Sequence, residues 1–101
     1  YEGSSGRDVF QDWLDSLKDN TARVAVQRRV DRLSRGNFGD CRSCREGVWE
    51  LKIDWGPGYR VYYALVGKAV VLLLAGGDKS TQKSDIDRAA RNLAEFRRRQ
   101  S

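Results

Sequence analysis

The chain of 101 residues contains no histidine, so proton transfer or phosphate chemistry near neutral pH falls to arginine, lysine, tyrosine and the carboxylates. The residues best spaced for such work lie between Trp49 and Gln82, in the stretch WELKIDWGPGYRVYYALVGKAVVLLLAGGDKSTQ. Trp49, Leu51, Ile53 and Trp55 alternate with Glu50, Lys52 and Asp54, which is the period of a half-buried strand. Gly56-Pro57-Gly58 turns the chain, and Tyr59 to Val66 forms a second strand. Gly67-Lys68 has the glycine-first form of a two-residue hairpin turn, and Ala69 to Ala75 forms a third strand. Being apolar on both faces, this third strand is expected at the centre of the sheet.

Hairpins symmetric about their turns place Trp55 opposite Tyr59, Asp54 opposite Arg60, Lys52 opposite Tyr62, and Arg60 opposite Ala75. One end of the sheet then gathers Asp54, Arg60 and the loop from Gly76 to Gln82, which carries Lys79. A slip of one residue would turn Arg60 to the other face. A guanidinium at such a place binds phosphate oxygens in two positions and stays charged. RNA cleavage through the 2′-OH can be accelerated by in-line positioning and by stabilising the charge that develops on the phosphate, with no metal and no histidine. Each residue also has a structural reading. Asp54 and Arg60 make a cross-strand ion pair worth about 0.2–1 kcal/mol, Lys52 faces solvent, Tyr62 packs, and Lys79 and Gln82 shape the loop and the helix entry.

The elements that must position this end are read from periodicity. Phe10, Trp13, Leu14 and Leu17 mark a helix from about Arg7 to Leu17. Asn20 or Thr21 caps a second helix that runs to about Arg35, with Ala22, Val26, Val30 and Leu33 buried and Arg23, Arg28, Arg29, Arg32 and Arg35 largely elsewhere. Gly36 to Gly47 reads as a loop. Its Cys41-x-x-Cys44 spacing is not a zinc site, because two cysteines without histidine fall short of four ligands, and the βαβ setting of a redox pair is missing. Ser84, with Asp87 three residues on, starts a last helix marked by Ile86, Ala89, Ala90, Leu93 and Phe96, which ends in Arg97-Arg98-Arg99.

Nineteen basic residues against 14 acidic ones give a net charge of +5, a balance that favours a polyanion or an acidic protein partner. The length allows one domain over residues 1–101. No apolar run is long enough to span a bilayer and no signal peptide opens the chain, so a cytoplasmic protein without membrane contact is expected. A P-loop, a Ser-His-Asp set and an acidic metal cluster are all missing from the sequence, and no cofactor is expected.

The segments GVWELKIDWGPGYRVYY and VVLLLAGGDKSTQKSDI, with FQDWLDSLKD and RLSRGNFGD upstream, resemble the RelE/ParE superfamily of bacterial toxins. Within it they are most similar to the HigB-type addiction-module killer proteins and the related phage-derived Gp49-like group. The resemblance implies an α+β fold, with two N-terminal helices packed on a small antiparallel sheet and a C-terminal helix returning onto it. Three strands are clear. The family's first strand, before the helices, is either degenerate in Tyr1 to Gly6 or lies outside this stretch.

RelE-like members cut messenger RNA on the ribosome. The resemblance therefore implies the toxin of a type II toxin-antitoxin module, a metal-independent endoribonuclease held silent by an antitoxin that commonly carries a helix-turn-helix domain. It assigns Arg60, in Gly58-Tyr59-Arg60, to the scissile phosphate. Lys79 stands for the basic residue of the loop, and Lys52 for strand lysines whose own positions hold Leu51 and Ile53. The C-terminal tyrosine of RelE has no counterpart, Ile86 lying at about that position, which leaves Tyr62 and Asp54 for proton transfer. Arg42, Arg45, Gln82 and Lys83 are the RNA-contact candidates around them. The alternatives are a ParE-like, non-catalytic inhibitor whose partner is DNA gyrase, and an inactive phage-derived binding protein.

Overall fold

The computed structural model describes residues 1–3, 8–67 and 70–100. Helices α1 (Val9–Ser16) and α2 (Asn20–Ser34) precede strands β1 (Cys41–Ser43), β2 (Trp49–Ile53), β3 (Tyr59–Val66) and β4 (Val70–Asp78). A single 3₁₀ turn, Lys79–Thr81, leads into α3 (Gln82–Gln100). The strands form one antiparallel sheet in the order β1-β2-β3-β4. This is the expected α+β arrangement of two N-terminal helices, an antiparallel sheet and a C-terminal helix, and it is compatible with a RelE-like fold.

The helices form where the periodicity places them. Asp8 caps α1 through the Gln11 amide. Asp19, rather than Asn20 or Thr21, caps α2 by accepting from the Thr21 amide. Phe10 and Leu14 of α1 join Val26, Val30 and Leu33 of α2 against Leu51, Ile53, Val61 and Tyr63 on one face of the sheet. On the opposite face Ala89, Ala90 and Leu93 of α3 pack on Val48, Tyr62, Ala64, Leu74 and Ala75. The sheet is therefore covered on both sides.

Several expectations are corrected. The segment from Gly36 to Gly47 is not all loop, because Cys41–Ser43 pairs with Trp49 to Leu51. β4 lies at the sheet edge rather than at its centre. Its two apolar faces reflect helices above and below it, not strands on both sides. The last helix begins at Gln82 rather than after a Ser84 cap, and Gly76 to Asp78 belong to β4. Asp78 instead caps the 3₁₀ turn through Ser80 and Thr81. Trp55 is exposed, having passed the end of β2. Near the chain start, Glu2 and Asp8 form an isolated antiparallel bridge, and the Tyr1 amino nitrogen donates to the Leu73 carbonyl at 3.0 Å.

Both hairpins are shifted by two residues near Arg60. Lys52, not Asp54, faces Arg60, and Glu50 faces Tyr62. The expected Trp55–Tyr59 pair is replaced by Ile53–Tyr59, because residues 54–58 all serve the turn, where Gly56 and Gly58 take φ of +53° and +81°. In the second hairpin Arg60 faces Gly77 rather than Ala75. One residue of that shift comes from the connection, where Val66 faces Val70, and the other from a bulge at Tyr62/Tyr63. The two-residue turn expected at Gly67-Lys68 falls on Lys68, which with Ala69 lies outside the described residues. A shift of two preserves the face, so Arg60 keeps its predicted side but changes its neighbours.

Gly76 and Gly77 are explained by what presses on β4 from either side. A Cβ on Gly76 would lie 2.2 Å from the Trp13 ring, and one on Gly77 would lie 1.8 Å from Oδ2 of Asp85. Asp85 is buried and held by Arg88 and Thr81. We expect Gly76→Ala and Gly77→Ala each to lower stability by about 1–3 kcal/mol in urea denaturation. A double-mutant cycle with Asp85→Ala should show coupling to Gly77→Ala and none to Gly76→Ala.

Candidate functional site

Adjacent strands bring chemistry-bearing side chains into two rows on the face that α3 covers. Arg42, Glu50, Tyr62 and Ala75 form one row, and Lys52, Arg60 and Gly77 the next. Glu50 is the centre. It is 1% exposed, and its Oε1 accepts from Arg42 Nε at 2.9 Å and from Arg60 Nη1 at 3.1 Å. Its Oε2 accepts from Gln82 Nε2 at 2.8 Å, which ties the first residue of α3 to β2.

Burial opposes ionisation of Glu50, but hydrogen bonds from Arg42 and Gln82 and the charges of Arg42 and Arg60 outweigh it and hold the carboxyl below its ordinary value. The Tyr62 hydroxyl and Arg60 Nε are buried beside this carboxylate without a well-formed hydrogen bond, although the phenol lies close enough to Glu50 to interact with it. Burial, and then the negative charge of Glu50, pushes the Tyr62 phenol well above its usual range. Tyr62 therefore stays protonated at neutral pH, its hydroxyl able to donate or to accept.

The sequence-predicted residues separate into groups. Arg60 is buried and ion-paired with Glu50 rather than Asp54, while Asp54 lies exposed just past β2. Lys52 is exposed beside Arg60. Lys79 is exposed too, and its Cβ lies 3.7 Å from where a Cβ on Gly58 would stand, so it sits against the β2–β3 turn. Of the RNA-contact candidates, Arg42 and Gln82 meet at Glu50, with the Arg42 side chain 61% exposed. Arg45 turns away to Asp87, Nη1 to Oδ1 at 2.8 Å, and Lys83 is exposed on the first turn of α3. Cys41 and Cys44 are free thiols, and burial followed by the Glu50 charge raises Cys44 above its ordinary value. No group of three or more potential metal ligands occurs among the described residues.

Glu50 and Asp85 are the residues that sequence reasoning missed. Alternation along β2 put Glu50 on a solvent face. The available signal lay on β3, where Val61, Tyr62, Tyr63 and Ala64 are apolar in succession, so both faces had to be covered and Glu50 with them. The arrangement holds two guanidiniums around one ionised carboxylate, leaving a net positive charge flanked by two exposed lysines. That combination suits a phosphate-bearing ligand.

Removing the Glu50 charge should leave Arg60 buried and unpaired, so Glu50→Gln is expected to cost about 3–5 kcal/mol at pH 7 in urea denaturation. Because the folded-state carboxyl is depressed, its contribution is fully present above its ordinary value of 4.5 and is lost as pH falls below it through the folded value. The wild type should thus lose stability steeply below about pH 4, while Glu50→Gln changes less over the same interval.

A family model described as phage-derived protein Gp49-like (DUF891) matches residues 12–99. An uncharacterized protein of Haemophilus influenzae is 49% identical over 81 residues, which cover 80% of this chain and 82% of that one. No solved structure matches the chain. The matched span runs from within α1 to near the end of α3 and takes in every residue of the Glu50 cluster. The chain belongs to the phage-derived Gp49-like family.

Proposed function

We propose that this chain is the toxin of a type II toxin-antitoxin module and acts as a ribosome-dependent, metal-independent mRNA endonuclease. The observation that carries the reading is the cationic sheet end. Arg42, Lys52 and Arg60 share one face of the sheet, and Lys79 stands beside the adjoining turn. Against this surface an RNA backbone finds fixed positive charge where charge develops during attack by the 2′-OH. Arg42, Lys52 and Lys79 are the accessible contacts. Arg60, locked by Glu50, sets the field beneath them. Asp54 is the exposed carboxylate at this end and takes the 2′-OH proton in this reading. The partner is an antitoxin with a helix-turn-helix domain, and the site of action is the cytoplasm. The described residues contain no helix long and apolar enough to cross a membrane.

One observation favours the second reading, a non-catalytic inhibitor of DNA gyrase. The Arg60 guanidinium is engaged by a buried carboxylate, as a structural arginine would be. The test is primer extension on a translated reporter message in a reconstituted translation system, with and without ribosomes. Cleavage at codon boundaries is expected only with ribosomes. It should fall tenfold or more in Lys52→Ala and Lys79→Ala, exposed positions whose loss leaves the melting transition unchanged, and should vanish in Arg60→Ala. Intact message at growth-arresting concentrations, with relaxed DNA accumulating in a supercoiling assay, would replace this reading with the gyrase one.

A further inference from the structure

The sheet face that packs on α1 and α2 is not covered along its whole length. Beyond Leu51 and Val61 the same face continues through the half-buried Trp49 and the buried Tyr63 to Leu65, where the cover gives out. Leu65 is 49% exposed and Phe38, in the α2–β1 connection, 42%. Between them lies a groove of about 270 Å³ lined by Phe38, Gly39, Cys41, Trp49, Tyr63 and Leu65. It is on the opposite face from the Glu50 cluster, and Leu65 is five residues along β3 from Arg60, roughly 17 Å.

The rim is basic. The Arg29 guanidinium lies against Gly39, 2.5 Å from where a Cβ would stand. Arg28, Arg29, Arg32 and Arg35 have no carboxylate partner among the described residues. Arg42, Arg45, Arg60, Arg88 and Arg99, by contrast, are all paired. Residues 28–45 carry six arginines against two aspartates, and α2 ends only a few residues before Phe38.

We propose that this groove receives a leucine- or phenylalanine-sized anchor from an acidic segment of a partner protein, whose carboxylates meet the unpaired arginines of α2. The volume falls just below the roughly 300–1,000 Å³ of a small-molecule site and has room for a side-chain anchor. A second copy of this chain would set one arginine-rich rim against another, which like-charge repulsion disfavours. RNA would find the arginines, but the chiefly apolar lining offers little to the polar edges of a base. An apolar patch beside a segment of net positive charge fits a peptide with an apolar face and acidic flanks. The proposal does not need message cleavage; where the toxin reading holds, the segment belongs to the neutralising antitoxin.

The test uses the full chain and a fluorescein-labelled 18-residue helical peptide with leucines along one face and glutamates elsewhere, titrated by fluorescence anisotropy. The controls are its twin with every glutamate replaced by lysine, and poly(U) RNA as competitor. Micromolar binding of the glutamate peptide is expected, weakened tenfold or more by Leu65→Glu and by Arg29→Glu, and unchanged in Lys79→Ala. Both weakened variants change partly exposed side chains, and melting curves matching the wild type establish that they fold. The proposal is overturned by no binding up to about 100 µM, by equal binding of the lysine twin, by full affinity in Leu65→Glu, or by displacement of the peptide with poly(U), which would make the groove an RNA surface. Leu65→Glu should cut reporter message as the wild type does, so loss of cleavage in the wild type would sink the functional reading and leave the peptide result standing.

Discussion

The fold depends most on one buried carboxylate. Glu50 sits within the sheet's α3-facing layer, and moving an ionised group there is tolerable only because Arg42, Arg60 and Gln82 together fill its lone pairs. The three donors come from β1, β3 and the start of α3, so a single anion fixes the short edge strand, the central strand and the last helix relative to β2. Arg42 and Arg60, two cations of the candidate site on this face, take their places from that arrangement. The apolar packing on either side sets the layers, and Glu50 sets how they are aligned.

β4 shows how tightly the layers approach. α1 brings the Trp13 ring to one side of the strand and α3 brings Asp85 to the other, and two consecutive glycines are what allow both. Trp13 is also edge-on to Tyr59, which connects the packing of α1 to the strand that carries Arg60. The charged and apolar parts of the molecule are therefore coupled through β3 and β4.

Much of this was legible in the sequence. Helical spacing named Phe10, Leu14, Ala22, Val26, Val30, Leu33, Ala89, Ala90 and Leu93, and all are buried. What escaped was register and cover. A turn of five residues, a one-residue shift at the β3–β4 connection and a bulge leave no mark in hydropathy, yet together they replaced Asp54 and Ala75 by Lys52 and Gly77 as the neighbours of Arg60. The strand Cys41–Ser43 is too short and too polar for any period to show. Glu50 was misplaced because alternation reports which face a residue is on and says nothing of whether a helix lies over that face. The cationic end of the sheet was legible, whereas the carboxylate that organises it was not.

The position of Gln82 has a consequence for the timing of assembly. The contact between Glu50 and Gln82 spans 32 residues, and the helix that begins at Gln82 also packs over Tyr62 and Ala75. A chain emerging from the ribosome through β3 would hold Arg42, Glu50 and Arg60 with no lid over them. Only when α3 has been synthesised and docked does the cluster reach its final dielectric and geometry. The site is thus completed last during biosynthesis, and a truncated nascent chain carries its charges without their alignment.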